Sequence, residues 1–267
     1  MHGGGALLLM LAQASTQGAI IMVRSLRYQP YAQTVSDKVR FACIALAAAF
    51  CLSSFLLHTY GSDAQKELFW KLLTKPVPVS TLWLVTLQPF LLLLSALRYR
   101  HYKSNIAEEQ LSELLYGLIA APVAEEVMYR LMVEALFQPL GYMPISRIII
   151  SNSFFALLHF LTIRDRYRFA QTFMAKASIL LNAGLTVVLQ AMIFGIWSEM
   201  MLAVTGSIWP SIIIHSICNY IGPPRMITSK DWYINGIGLC CFLLNIIIVC
   251  ELHSIPVSQT LFIRFSN

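Results

Sequence analysis

The chain has 267 residues, of which 57% are hydrophobic and only 12% charged, with a formal net charge of +6. A soluble globular domain carries about 25% charged residues, and half that share cannot coat a water-facing surface of this size. The composition therefore excludes a soluble enzyme and a disordered chain. It predicts an all-α polytopic membrane protein, about eight transmembrane helices in a single integral domain over residues 1–267.

A transmembrane helix needs about 17–25 mainly apolar residues, and eight candidates follow in chain order. Gly5–Val23 is interrupted by Gln13, Ser15, Thr16 and Gln17, and no basic segment precedes it, so it reads as a weak span rather than a cleaved leader. Phe41–Leu57 is the second, and Val79–Leu97, set off by Pro76-Val77-Pro78, is the third. Leu111–Phe137 and Ala177–Val204, the fourth and sixth, are long enough to tilt. Arg147–Ile163 lies between them. Ile208–Ile221 is short, carries Trp209-Pro210 at its start and is stopped by Gly222-Pro223-Pro224. Gly236–Leu252 is the eighth. Trp70, Trp197, Trp209 and Trp232 fall near span ends, where interfacial anchors sit. All six cysteines lie in apolar stretches and read as buried small hydrophobes.

With eight alternating spans, thirteen of the nineteen Lys and Arg fall on one side, in the loops around Arg24–Arg40, Arg98–Lys103, Arg164–Lys176 and Arg225–Lys230. The basic side is expected to be cytosolic. Lys66, Lys71, Lys75, Arg147 and Arg264 are assigned to the other side, and Arg130 stays inside the fourth span.

Ionisable groups at bilayer depth mark function or a paired structural role. The fourth span carries Glu125, Glu126 and Arg130. Glu126 and Arg130 stand at i and i+4 with the acid N-terminal, the better order for an ion pair. Glu125 has no base four residues on, so it is left for other work. Pro122 frees a backbone carbonyl one turn earlier, and Ala120, Ala121 and Ala124 let a neighbouring helix approach. The fifth span places Phe155 and His159 at i and i+4, and the seventh places His215 and Asn219 likewise. Lipid cannot satisfy these polar groups, so the three helices must turn them toward one another or a water-filled cavity. Glu113, Glu134, Glu199 and Glu251 lie near span ends and are expected to reach water by snorkelling.

Such a set can run general-base hydrolysis without a covalent nucleophile. Glu125 takes a proton from water, His159 helps bind and activate that water, and His215 and Asn219 donate to an oxyanion. No Gly-x-Ser-x-Gly and no Gly-rich phosphate loop is present. Two His and a Glu are also zinc-ligand types, but there is no His-Glu-x-x-His and the ligands would come from three helices, so no metal and no cofactor is assigned.

Glu-Glu-x-x-x-Arg, Phe-x-x-x-His and His-x-x-x-Asn, in this order and each within an apolar helix, resemble the type II CAAX prenyl endopeptidases, within the wider abortive-infection and bacteriocin-processing family. His215-Ser-Ile-Cys-Asn219-Tyr-Ile-Gly222 is similar to the eukaryotic branch, and the closest resemblance covers about residues 115–225. It implies a multi-pass endopeptidase of the endoplasmic reticulum membrane whose catalytic helices, within about residues 111–222, enclose a cytosol-facing cavity. The implied reaction removes the last three residues of farnesylated or geranylgeranylated proteins such as Ras- and Rho-like GTPases, with membrane lipid as the other partner and no nucleic acid. Carried over residue by residue, Glu125 and His159 match the water-activating positions and His215 and Asn219 the oxyanion stabilisers. Glu126, Arg130 and Phe155 match supporting positions. Two positions depart from the pattern. Ala124 stands where the family often has Thr, and Phe160-Leu161-Thr162 follows His159 where eukaryotic members often have further histidines. Two rival readings are a relative that binds prenylated tails without cutting them, and an ion-coupled transporter, against which the lack of visible internal repeats speaks.

Overall fold

The computed structural model describes residues 53–77, 116–160 and 163–221, with isolated positions at 47, 50, 51, 79, 81, 247 and 251. The candidate spans Gly5–Val23, Val79–Leu97 and Gly236–Leu252, and the first half of Phe41–Leu57, lie almost wholly outside these residues. Every regular element among the described residues is helical.

Helix α1, Asp63–Thr74, occupies a stretch that hydropathy reads as a loop. Its start is a capping box: the Ser62 hydroxyl accepts from the Gln65 amide, and the Gln65 side chain accepts from the Ser62 amide at 2.8 Å. Gln65, Phe69 and Leu72 form its buried stripe. The Gln65 side-chain amide reaches across to donate to the Leu136 carbonyl at 2.9 Å.

Residues 116–140 form one helical rod with two wide turns. A π-helical turn at Tyr116–Ala120 leads into α2, Ala121–Glu126. Pro122 has no N–H for the carbonyl of Leu118, and the turn widens where that bond is missing. A second π-helical turn, Val127–Leu131, precedes α3, Met132–Phe137, and a 3-10 turn, Gln138–Leu140, ends the rod. The chain returns as α4, Pro144–Phe160. Two short helices follow, α5 (Arg164–Phe169) and α6 (Phe173–Ser178), then a third π-helical turn (Ile179–Gly184) and the long α7, Leu185–Thr205. Gly206 stops α7 in the left-handed region at φ 63°, where a side chain would be strained, and α8 runs from Trp209 to Ile221.

Helix α4 packs along α7, α8 packs against α2 and the turn before it, and α1 packs on α3. The largest apolar cluster joins Phe69 and Leu72 of α1 to Leu131, Val133, Leu136 and Ile212. At that end the Ile208 amide donates to the Leu72 carbonyl, Ser207 Oγ to Lys75 O, and Trp209 Nε1 to Leu73 O. The connections after the second, fourth and sixth candidate spans therefore gather at one end of the bundle. Asn219 and Gly117 meet at the other.

One segment, Val187–Thr205, is long and apolar enough to cross a membrane among the described residues, with a mean hydropathy of 1.8. Ile145–Leu157 is apolar but shorter.

Several sequence expectations are corrected here. Glu134 and Glu199 do not snorkel: they are 4% and 2% exposed. Arg147, expected at the start of its span on the non-cytosolic side, is buried and lies 2.7 Å from Glu134, with a second hydrogen bond to the Tyr142 carbonyl. The turn at Gly141 folds α4 back beside α3, so an acid and a base from the two sides of the turn neutralise each other instead of reaching out. Trp197 is buried in a cluster with Met201, Val204 and Ile214 and anchors no interface, and Cys51 is exposed.

Candidate active site

The site forms where α2, α4, α7 and α8 face one another. Glu126 stands at its dry end. Glu126 ends α2, and the i and i+4 spacing delivers Arg130 from the π-helical turn that follows, its Nε 3.6 Å from Glu126 Oε2 and both side chains fully buried. Two other helices complete the shell of this carboxylate. The Ser198 hydroxyl of α7 donates to Oε2, and His215 Nδ1 of α8 lies 2.7 Å from Oε1. An acceptor carboxylate at that distance requires the proton on Nδ1, so Nε2 is the nitrogen His215 presents outward.

Nε2 faces Glu125, whose Oε2 is 3.7 Å away. The Glu125 side chain keeps 25% of its surface exposed, against 5% for His215. Burial therefore grades across the site, from Glu126 and Arg130, sealed from water, through His215, to Glu125 on the open side. The expectation that Glu126 answers only to Arg130 is too narrow: Glu126 also fixes His215, and the more open Glu125 flanks the same ring.

Phe155 binds the rest of the group together. Its ring centroid is 4.3 Å from that of His159 and 6.0 Å from that of His215, and the Arg130 guanidinium carbon sits 4.1 Å above its face. A desolvated cation over a ring contributes up to about 2 kcal/mol. His159 Nδ1 lies 2.9 Å from the Phe155 carbonyl one turn back, which fixes the orientation of its ring. Asn219 is exposed at the far end of α8, and its amide donates to the Gly117 carbonyl at 2.9 Å. That bond uses one of its two N–H groups and ties α8 to the wide turn ahead of Pro122. Among the described residues no three His, Cys, Asp or Glu side chains gather as a metal ion would require.

Three residues of the site escaped sequence reading. Asn152, fully buried on α4, accepts from Arg130 Nη2 at 3.5 Å and donates to the Ile148 carbonyl at 2.8 Å. Ser198 supports Glu126 as described, and its own carbonyl accepts from the Ser211 hydroxyl at 2.9 Å. Gly195 is the third. A Cβ there would stand 1.7 Å from Asn152 Oδ1 and 2.7 Å from Arg130 Nη2. Only a glycine lets α7 approach α4 this closely. Gly195→Ala is expected to destabilise the protein by about 1–3 kcal/mol, in the range of overpacked cores. Thermal unfolding of the purified variant beside wild type measures this, and an unchanged midpoint would contradict the close approach.

Comparison with known proteins reaches this same region. Residues 107–221 match the family model described as type II CAAX prenyl endopeptidase Rce1-like. The human CAAX prenyl protease 2 is 27% identical over 141 residues, which cover 49% of this chain and 41% of that protein. The chain thus spans less than half the length of the curated relative it matches. No solved structure matches. Glu125, Glu126, Arg130, Phe155, His159, His215 and Asn219 all lie within the family-matched segment.

Proposed function

We propose that the protein is an intramembrane CAAX-processing endopeptidase that removes the C-terminal tripeptide from farnesylated or geranylgeranylated proteins, using a glutamate-activated water. The observation that carries this reading is His215 held between two carboxylates, Nδ1 on Glu126 and Nε2 toward Glu125, inside the segment matched by the family model.

In the proposed reaction Glu125 accepts a proton from water oriented by His159, and the water oxygen attacks the scissile carbonyl carbon. The carbonyl becomes an oxyanion, stabilised beside His215, whose Nε2 side faces the reacting groups, and by a hydrogen bond from the Asn219 side-chain amide. As the C–N bond breaks, the departing amine takes the proton held by Glu125. Arg130 and Glu126 keep the His215 ring in place from behind.

The proposed setting is the endoplasmic reticulum membrane, crossed by about eight helices, with the site open to the cytosol. Asn219 lies at the end of the bundle that carries Arg164–Lys176, a quarter of the Glu125 side chain is exposed, and the connections after the second, fourth and sixth candidate spans gather at the opposite end. A prenyl chain entering from the bilayer would add about 0.8 kcal/mol per buried CH₂. Ras- and Rho-like GTPases are the proposed substrates.

The test is mass spectrometry of a farnesylated CAAX peptide incubated with the purified protein. Stoichiometric release of the tripeptide is expected. Binding of the peptide without release would support a non-cutting relative instead.

A further inference from the structure

We infer that Ser198 is a positioning residue of the site, acting through Glu126 on His215. This rests on the hydrolase reading and extends it to a residue that none of the three helical motifs contains.

A carboxylate that must orient an imidazole has to be held in one rotamer. In Glu126, Oε1 is engaged by His215 Nδ1 and Oε2 by the Ser198 hydroxyl, with the Arg130 Nε 3.6 Å away. Arg130 alone would not define the plane of the carboxylate. Its guanidinium is held over the Phe155 ring and leaned on Asn152, and it meets Oε2 beyond hydrogen-bond distance. The Ser198 O–H is directional, and with His215 it fixes the carboxylate from both oxygens. Ser198 is fully buried, so water cannot replace it. The helix bearing it is itself seated: Gly195, one turn earlier, allows the close approach to α4, and the Ser211 hydroxyl of α8 donates to the Ser198 carbonyl. One contact thus sets the distance between α7 and α8, and the other sets the carboxylate between them. Without the Ser198 hydroxyl, Glu126 can turn about its last torsion, and His215 Nε2 loses its fixed aim at the reacting oxygen.

The experiment is steady-state cleavage of a farnesylated CAAX peptide by Ser198→Ala, Ser198→Thr and Ser207→Ala beside wild type, with thermal unfolding of each. Removing one charge-assisted hydrogen bond that acts on the transition state should lower kcat about tenfold to a hundredfold in Ser198→Ala. KM should stay within about twofold, because Ser198 does not touch substrate. The pH–rate profile of Ser198→Ala should shift, since the environment of His215 changes, while that of Ser198→Thr should overlay wild type. Ser207→Ala loses a comparable buried hydroxyl, one that bonds the Lys75 carbonyl at the opposite end of the bundle. It should lower the unfolding midpoint and leave kcat near wild type. If Ser198→Ala does not fold, the isosteric pair Ser198→Thr and Ser198→Val, alike in shape and different by one hydroxyl, carries the same comparison.

Wild-type kcat in folded Ser198→Ala, or equal loss of kcat in the Ser198→Ala and Ser207→Ala variants, overturns the positioning role and leaves the hydrolase reading intact. Absence of tripeptide release by wild type itself removes both.

Discussion

Glu125→Gln is expected to lower kcat/KM for a prenylated CAAX peptide by about 10²–10⁴-fold, the usual contribution of a positioned general base. Glutamine keeps the shape and hydrogen-bonding reach of the side chain and loses the ability to take a proton from water. The fold should survive. The Glu125 side chain is a quarter exposed, and its neighbour His215, at 3.7 Å, is held independently by Glu126. The loss should therefore fall on kcat, with an unfolding midpoint close to that of wild type. His159→Ala is expected to show a large loss of the same kind. Near-normal turnover by folded Glu125→Gln would remove Glu125 from the role of base and shift attention to Glu126.

Glu126→Ala is expected to act differently, with its largest effect on stability. It leaves Arg130 fully buried without its anion, and both the His215 Nδ1–H and the Ser198 hydroxyl without an acceptor. Breaking a buried ion pair from one side costs about 3–5 kcal/mol, because an uncompensated charge remains in a dry site. Chemical or thermal denaturation in detergent measures this. Glu126→Gln, which still offers a carbonyl oxygen, should lie between the alanine variant and wild type. The double substitution Glu126→Leu with Arg130→Met should be less damaging than Glu126→Ala, since it removes both charges together. A Glu126→Ala protein as stable as wild type would mean that Arg130 does not depend on this carboxylate. Comparing the two glutamates is informative because they are adjacent in sequence and predicted to fail in different measurements.

Part of this division could be read from the chain. The Glu126–Arg130 pair follows from i and i+4 spacing on any helix, and so does the ring contact of Phe155 with His159. The prediction of a helical protein also followed, because long apolar stretches leave no other way to satisfy the backbone. Helix α1 was missed because it is an amphipathic element too short and too polar for a span. Its signal was present in Ser62 and Gln65 at capping-box spacing, followed by Phe69 and Leu72. Asn152 also left a trace, as a polar residue inside an apolar helix that needs a partner.

Other features had no local signature. Snorkelling of Glu134 was a fair expectation for an acid near a helix end. The turn at Gly141 overrides it by bringing Arg147 back beside it. Ser198 and Glu126 are 72 residues apart, and Glu126 and His215 are 89 apart. Nothing in the spacing of either pair says that they meet.

The amino-acid sequence by itself determined the helical class, the poverty of charge and the identity of the few polar residues that apolar helices must accommodate, because composition and helical periodicity are local properties. Only the tertiary structure decided how the two adjacent carboxylates differ. Consecutive residues on a helix point about 100° apart, so one faces α7 and α8 while its neighbour stays near the open side. Which of them is sealed depends on how closely those helices approach, and here Gly195 and the Ser198 and Ser211 hydroxyls bring them in around Glu126.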